Sequence, residues 1–209
     1  MISETKQRNF ILLNLYSPYI KTFLNKHILI YLVKFFTIFC IAYFGTLAVE
    51  GVAAPGNYYW PFVDHYFNYP SWLRASLLHG TRFFLSLSGY ETVITDPASL
   101  QMLNGKAVHV SYDCYGVGVM SFWLAFVVAN KGNGLKKSLW VVGGFLAIWL
   151  INITRIGMLL VAINKNSQLP FNMDNHDFFT VLAYGAIFLL MFLYDRSFGK
   201  SVKHLQEGG

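Results

Sequence analysis

Hydrophobic residues in this chain run in long stretches that short polar segments separate. Four of these stretches approach or exceed the ~20 residues that an α-helix needs to cross the ~30 Å hydrocarbon core of a membrane. We therefore predict four membrane-spanning helices. They cover residues 28–49, 115–130, 138–163 and 178–194.

Two further segments combine a helical spacing of apolar residues with several charges. In residues 71–90, Arg74, His79 and Arg82 lie among the apolar positions. A single crossing there would invert the sidedness of everything downstream, so this segment is interpreted as an interfacial or re-entrant helix, with its charges at lipid headgroups. Residues 10–24 are similarly ambiguous. The predicted fold is an all-α integral membrane helical bundle of about 4–6 transmembrane helices.

A polar, strand-like patch precedes the second predicted span. Residues 99–103 and 107–112 flank Asn104-Gly105, a dipeptide typical of tight β-hairpins. Strand edges inside the hydrocarbon would leave backbone groups without hydrogen bonds, so these strands are expected outside it. We predict a small extracytoplasmic β-hairpin that leads into Cys114.

The composition favours a membrane protein. Apolar residues make up 55% of the 209 residues and charged residues 12%, against roughly 25% charged residues in soluble domains. The net charge of +6 could suit nucleic acid, but the basic residues flank apolar stretches instead of forming one stripe. We expect membrane lipid as the surroundings and no nucleic-acid partner.

Lysine and arginine are distributed unequally between the two sides of the predicted spans. Ten lie before residue 28, in 131–137 or after 195, whereas four accompany seven acidic residues in 50–114 and 164–177. The basic side is taken as cytoplasmic. This predicts a multi-pass protein of the cytoplasmic membrane, with both termini inside and Cys114 outside. The predicted parts are a cytoplasmic or interfacial segment 1–27, a transmembrane domain 28–195 and a cytoplasmic tail 196–209.

Cys114 is one of two cysteines, and Cys40 falls inside an apolar helix, so a disulfide is not expected. Cys114 begins the second predicted span. The thiolate, which is the reactive form, is stabilised at helix N-termini and beside cations. Gly116 and Gly118 would let a backbone or substrate approach the first turn. A small apolar residue at a helix start is an equally good interpretation of Cys114 by itself.

Arg155 lies about eight residues, or on the order of 12 Å, inside the outer end of the third span. A charge in a span is costly and suggests a function. Asn152 lies on the same helix face. The alternative is that Arg155 extends outward to the membrane surface or bonds to a neighbouring helix.

His176 lies on the outer side, just before the last span, between Asn175 and Asp177. Neighbouring carboxylates favour the protonated form of a histidine. The alternative is a polar residue at the membrane interface, in a segment where Asn175 and Asp177 cap the following helix.

These three residues project to one membrane surface from the ends of different helices. In acyl transfer a thiolate attacks a carbonyl, a histidine moves protons and a guanidinium stabilises the oxyanion. A metal site would use His109, Cys114, His176 and Asp177. The spacing between His109 and Cys114, across a strand-to-helix change, is not typical of zinc. We predict an acyl-transfer site with no metal and no cofactor.

The ordered set of motifs resembles the exosortase/archaeosortase membrane transpeptidases over roughly residues 28–195. The motifs are Cys114-Tyr115-Gly116 at the start of a span, Asn152-Ile153-Thr154-Arg155 late in the next, and Asn175-His176-Asp177 before the last. The resemblance implies that Cys114 is the nucleophile, Arg155 the stabiliser and His176 the proton-transfer residue. Gly116, Asn152, Asn175 and Asp177 would support them.

The resemblance also implies the substrates. These are exported proteins with a C-terminal sorting signal: a short motif, a transmembrane helix and a basic tail. Cleavage near the motif would form a Cys114 acyl-enzyme, and the acyl group would pass to a cell-envelope acceptor. This chain is shorter than the larger members of the family. The resemblance therefore applies more directly to the cysteine chemistry than to substrate docking and acyl transfer. The alternative is a non-enzymatic membrane assembly factor or scaffold.

Overall fold

The computed structural model describes residues 26–56, 58–165 and 175–206, and the side chains of 28–56, 58–112, 114–165 and 181–197. The predicted ambiguous segment 10–24 lies outside these ranges. The helices are α1 (Lys26–Ala53), α2 (Pro61–Phe67), α3 (Tyr69–Leu87), α4 (Val117–Ala129), α5 (Gly134–Asn164) and α6 (Asn175–Gln206), and the strands are β1 (Thr92–Asp96), β2 (Ser99–Met102) and β3 (Ala107–His109). A 3-10 helix, Tyr112–Tyr115, joins β3 to α4.

Two helices in the described part of the chain are long and apolar enough to cross a membrane. These segments are Ile28–Ala53, with 26 residues, and Gly134–Asn164, with 31 residues; α4 is apolar but has only 13. A helix that is apolar on its outward faces as well as its inward ones is typical of a membrane span. On α5 the exposed apolar side chains include Leu135, Leu139, Val142, Leu146 and Leu150.

The main core lies between α3, α5 and the sheet. Leu77, Leu78 and Leu85 form the buried face of α3, because they recur at helical spacing. Trp149 of α5 donates a hydrogen bond from Nε1 to Ser76 Oγ at 3.0 Å. A Cβ added at Gly80 would collide with Ile153, so this glycine lets α3 and α5 approach closely. This pair of helices forms the support on which the site is built.

A second core joins α4, α5 and α6 around the fully buried Trp123. Its indole donates a hydrogen bond to the Trp140 carbonyl at 3.0 Å, and Gly144 leaves room for the ring. The helix α1 packs against α4, with the rings of Phe35 and Phe122 5.2 Å apart. The helix α4 therefore packs against three other helices, α1, α5 and α6.

The three strands form one antiparallel sheet in the order β1-β2-β3. In the hairpin of β2 and β3, Gln101 is opposite Ala107, so the loop is longer than the two-residue turn that Asn104-Gly105 suggests. Asn104 has a φ of 59°, a left-handed conformation that asparagine tolerates better than most residues. The sequence pattern did not predict β1, which adds a third strand.

Asn164, at the end of α5, fastens the hairpin to the helices. Its Oδ1 accepts a hydrogen bond from the Lys106 backbone N–H at 2.6 Å, and its Nδ2 donates to the Lys106 carbonyl at 3.2 Å. One side chain thus satisfies both backbone groups of a loop residue. The position of the sheet is fixed relative to α5 by this contact.

Replacing Asn164 with alanine is expected to loosen the hairpin. Two hydrogen bonds to Lys106 are lost, each contributing about 0.5–1.5 kcal/mol. Amide hydrogen exchange in residues 103–107 should become about tenfold faster or more, since about 1.4 kcal/mol is a factor of ten. Asn130→Ala is the control, because the Asn130 amide donates to the Phe126 carbonyl at the end of α4, away from the hairpin. Unchanged exchange in the Asn164 variant would contradict the anchoring role.

Candidate active site

Cys114 lies in the short 3-10 helix between β3 and α4, and its side chain is only 7% exposed. The Cys114 N–H donates to the Ser111 carbonyl at 2.9 Å, which closes the turn. The sequence placed Cys114 at the start of a long helix, and this is wrong. Gly116, with a φ of 76°, interrupts the helical run, so α4 begins at Val117. The sulfur is therefore not in the first turn of a long helix. Its contacts come instead from neighbouring side chains.

Arg155 reaches the sulfur from α5. Its Nη2 donates a hydrogen bond to Cys114 Sγ at 3.4 Å, and the Ser111 hydroxyl donates to the same sulfur at 3.6 Å. The guanidinium thus turns toward the cysteine instead of extending to the membrane surface. The hydrogen bond places a positively charged donor in direct contact with the sulfur atom. Both cysteines of the chain are free thiols.

Asn152 lies one helical turn before Arg155 on α5, and it bonds to the 3-10 turn that carries the cysteine. Its side chain is 5% exposed, and its Nδ2 donates to the Tyr115 carbonyl at 3.3 Å. A Cβ added at Gly116 would collide with this amide. Gly116 is therefore required by its left-handed backbone and also by the close approach of Asn152. Two residues on one face of α5 fix the turn and contact its sulfur.

Arg74 contacts the turn from the opposite side, a contact that the sequence interpretation did not include. Its Nη1 donates to the Tyr115 hydroxyl at 2.9 Å, and its side chain is half-buried. His79 and Arg82 of the same helix are exposed. The signal was present in the sequence, because position 74 falls on the buried stripe of α3. That stripe contains Leu77, Leu78, Thr81 and Leu85.

His176 is the second residue of α6, and its side chain lies outside the described part of the structure, as do those of Asn175 and Asp177. The helix itself passes close to Arg155, since Arg155 and Ala183 line the same fissure of about 260 Å³ between α5 and α6. Position 176 precedes Ala183 by two helical turns, about 10 Å at 1.5 Å per residue. The structure brings Cys114 and Arg155 together and places His176 on the adjacent helix.

An apolar groove of about 720 Å³ opens beside the cysteine turn. Tyr112 and Gly116, which flank Cys114, are among its lining residues. The remaining walls come from three helices, α1, α4 and α6. The lining residues from these helices are Phe39, Tyr43, Gly118, Val119, Phe122, Tyr184, Ile187, Phe188 and Met191.

His109, the histidine considered for a metal site, pairs instead with a serine in the sheet. Its Nδ1 lies 3.1 Å from Ser99 Oγ. The Ser99 hydroxyl also bonds to Asp96, and together with the Ala98 N–H it holds the pKa of that carboxyl below its usual value. A serine that donates to the aspartate cannot be activated by the histidine, so this cluster lacks the arrangement of a Ser-His-Asp triad. Within the described ranges no three His, Cys, Asp or Glu side chains are grouped for metal binding.

The fold and site define a helical membrane protein in which a guanidinium is hydrogen-bonded to a buried thiol beside an apolar groove. A family model described as transmembrane exosortase (Exosortase_EpsH) matches residues 15–193. The match covers most of the chain, so the chain belongs to the exosortase family, and the resemblance read from its motifs is confirmed. No curated protein and no solved structure matches it.

Replacing Gly116 with alanine is expected to destabilise the protein. A non-glycine residue in a left-handed conformation costs about 1–2 kcal/mol, and the new Cβ must displace Asn152. Thermal unfolding in detergent should occur several degrees lower. Gly118→Ala is the matched control, since a Cβ there would meet Tyr43 at an ordinary 3.6 Å. Equal unfolding temperatures for the two variants would show that the turn does not need its glycine.

Proposed function

We propose that this chain is a membrane cysteine protease and transpeptidase that acts on exported proteins with a C-terminal sorting signal. The observation that carries the proposal is the hydrogen bond from Arg155 Nη2 to Cys114 Sγ at 3.4 Å. Family membership supports the same chemistry. A largely buried thiol beside a cation, at the end of an apolar groove, suits attack on a peptide bond that a membrane helix delivers.

In the first step the Cys114 thiolate attacks the carbonyl carbon of the scissile peptide. A carbon–sulfur bond forms, and the π electrons of the carbonyl move onto its oxygen. The guanidinium of Arg155, which stabilised the thiolate, then stabilises the negative charge on the oxyanion. The same cation serves before and after the attack, because the negative charge moves only from the sulfur to an oxygen two bonds away.

In the second step the oxyanion collapses and the carbon–nitrogen bond breaks. His176 gives its proton to the departing amine, and a Cys114 thioester remains. An acceptor nucleophile then attacks the thioester carbonyl and loses its proton to His176. Cys114 leaves as a thiolate and the enzyme is restored. The acceptor is an amine, a lipid headgroup or water.

The apolar groove is proposed to hold the transmembrane helix of the sorting signal. Its walls are mostly aromatic and aliphatic, and they include Tyr112 and Gly116, on either side of the nucleophile in the chain. A helix seated there would place the sorting motif, which precedes it, near Cys114. The proposal includes four spans, with Cys114 on the extracytoplasmic side of the cytoplasmic membrane. The lysine and arginine distribution along the sequence supports that orientation.

Replacing Cys114 with alanine is expected to abolish processing of the substrate. The assay expresses the chain in cells together with exported proteins that end in a motif, a transmembrane helix and a basic tail. Wild-type protein should carry a substrate-derived adduct on Cys114, seen by intact mass spectrometry and removed by hydroxylamine, as a thioester requires. Cys40→Ser is the matched control, because Cys40 is exposed on α1 and is a free thiol.

Processing at the wild-type rate in the Cys114→Ala variant would exclude a cysteine nucleophile and favour a scaffold.

Arg155→Met should lower the rate of processing by about 10²–10³, the usual effect of losing an oxyanion donor. His176→Ala should lower it by about 10²–10⁴, the range for general acid–base catalysis. Adduct accumulation in the His176 variant would place its role in release from the thioester.

Filling the groove is expected to weaken substrate binding without changing the thiol. Ile187→Trp adds a large ring to a side chain that lines the groove, and it should raise the substrate level for half-maximal processing about tenfold. Leu189→Trp is the matched control, because Leu189 lies on the same helix and is 59% exposed. Alkylation of Cys114 by a small maleimide should be the same in both. Equal processing by the two variants would exclude this groove as the substrate site.

A further inference from the structure

Tyr115, the residue after the cysteine, is held at both of its ends. Its hydroxyl accepts a hydrogen bond from Arg74 Nη1 at 2.9 Å, and the Arg74 guanidinium lies 5.8 Å from the ring centre. Its carbonyl accepts a hydrogen bond from Asn152 at 3.3 Å. The residue is only 1% exposed. Two helices, α3 and α5, thus fix one residue of the turn from opposite directions.

Stability alone does not account for an arginine in this place. Arg74 is half-buried beside the cysteine turn, where it also donates to Ser71 Oγ at 3.4 Å, and its Nε is buried without a hydrogen-bond partner in the described structure. Burying a charge with an unfilled donor is costly, and an apolar pair of similar size avoids that cost. Glu50 of α1 lies close enough to Arg74 for the two side chains to interact electrostatically. One Glu50 carboxylate oxygen is itself buried without a hydrogen-bond partner there.

The contact between Arg74 and Tyr115 also affects the position of the Cys114 sulfur. Tyr115 follows Cys114 directly in a single 3-10 turn, so a rotation of the tyrosine would swing the sulfur. Arg155 comes from α5 and does not move with the turn. A functional pair of this kind must be held within about 0.5 Å of its productive geometry. The distance between Cys114 Sγ and Arg155 therefore depends on what fixes Tyr115.

We infer that Arg74 is a positioning residue for acyl transfer, which acts through the Tyr115 hydroxyl to keep the Cys114 sulfur against Arg155. This inference rests on the proposed function and deepens it. Arg74 touches neither the sulfur nor the scissile bond in this role. Its loss lowers the fraction of time in which the sulfur lies against Arg155, and it leaves the binding of the substrate unchanged.

The test is a double-mutant cycle with Arg74→Met and Tyr115→Phe in the full chain, in a Cys40→Ser background where Cys114 is the single thiol. Each single change removes the same hydrogen bond. Each should lower the rate of Cys114 acylation at saturating substrate about tenfold, with the half-saturating substrate level changed less than about twofold. The double variant should also be slowed about tenfold and not a hundredfold, because both changes act through one contact.

Thermal unfolding separates positioning from a purely structural role. Each single variant leaves a buried polar group without its partner and should unfold at a lower temperature. The double variant removes both partners of this hydrogen bond, so its unfolding temperature should lie above that of the Arg74→Met variant while its acylation rate stays low. If the contact served stability only, the rate would recover together with the unfolding temperature. Arg82→Met is the control, since Arg82 is exposed on the same helix.

Three results would overturn the inference. They are rates in the single variants equal to that of the parent, multiplicative losses in the double variant, and recovery of its rate together with its stability. Failure of the proposed function is recognised separately, by wild-type processing in the Cys114→Ala variant. Maleimide alkylation of Cys114 requires no substrate. Its rate should fall in each single variant, and it should fall no further in the double variant.

Discussion

The arrangement around Cys114 depends on one face of α5, where Asn152 and Arg155 lie one helical turn apart. Asn152 bonds to the backbone of the turn that carries the cysteine, and Arg155 bonds to its sulfur. Because a single rigid helix supplies both contacts, the same element that fixes the turn also places the cation. Gly116 is the complementary requirement, since any side chain there would push Asn152 away.

The rest of the protein holds the turn against this face. Asn164 ties the hairpin to the end of α5, so β3 enters the turn from a fixed position. Arg74 holds Tyr115 from α3, and α3 is itself packed on α5 through Gly80. Two half-buried arginines thus approach adjacent residues of one turn. In a protein with few charges, such placements point to chemistry more than to stability.

Much of this was visible in the sequence because membrane helices have a strong compositional signal. The apolar runs predicted the helices α1, α4, α5 and α6 to within a few residues at most ends, although α6 continues well beyond its apolar run. Arg155 and Asn152 stood out as polar residues inside an apolar run, and helical periodicity placed them on one face. Their contact with Cys114 could not be read from spacing, because it depends on how α5 packs against a turn some 40 residues earlier.

The sequence interpretation failed where long-range packing overrides a local pattern. Gly116 was read as part of a helix start, but the Asn152 contact and a positive φ separate the turn from α4. The contact between Arg74 and Tyr115 was missed because Arg74 was grouped with His79 and Arg82, which are exposed, although position 74 alone of the three falls on the buried stripe of α3. The strand β1 was missed because TVITD lacks a clean alternation of apolar and polar residues. The role of His176 stays a prediction.

The central claim is that the Arg155 guanidinium activates the Cys114 thiol. The most direct measurement compares the rate of maleimide alkylation of Cys114 at neutral pH in the Cys40→Ser protein with and without Arg155→Met. Because thiolate is the reacting species, the account predicts at least a tenfold slower reaction without the guanidinium, at a similar unfolding temperature. Equal alkylation rates in two equally stable proteins would contradict it.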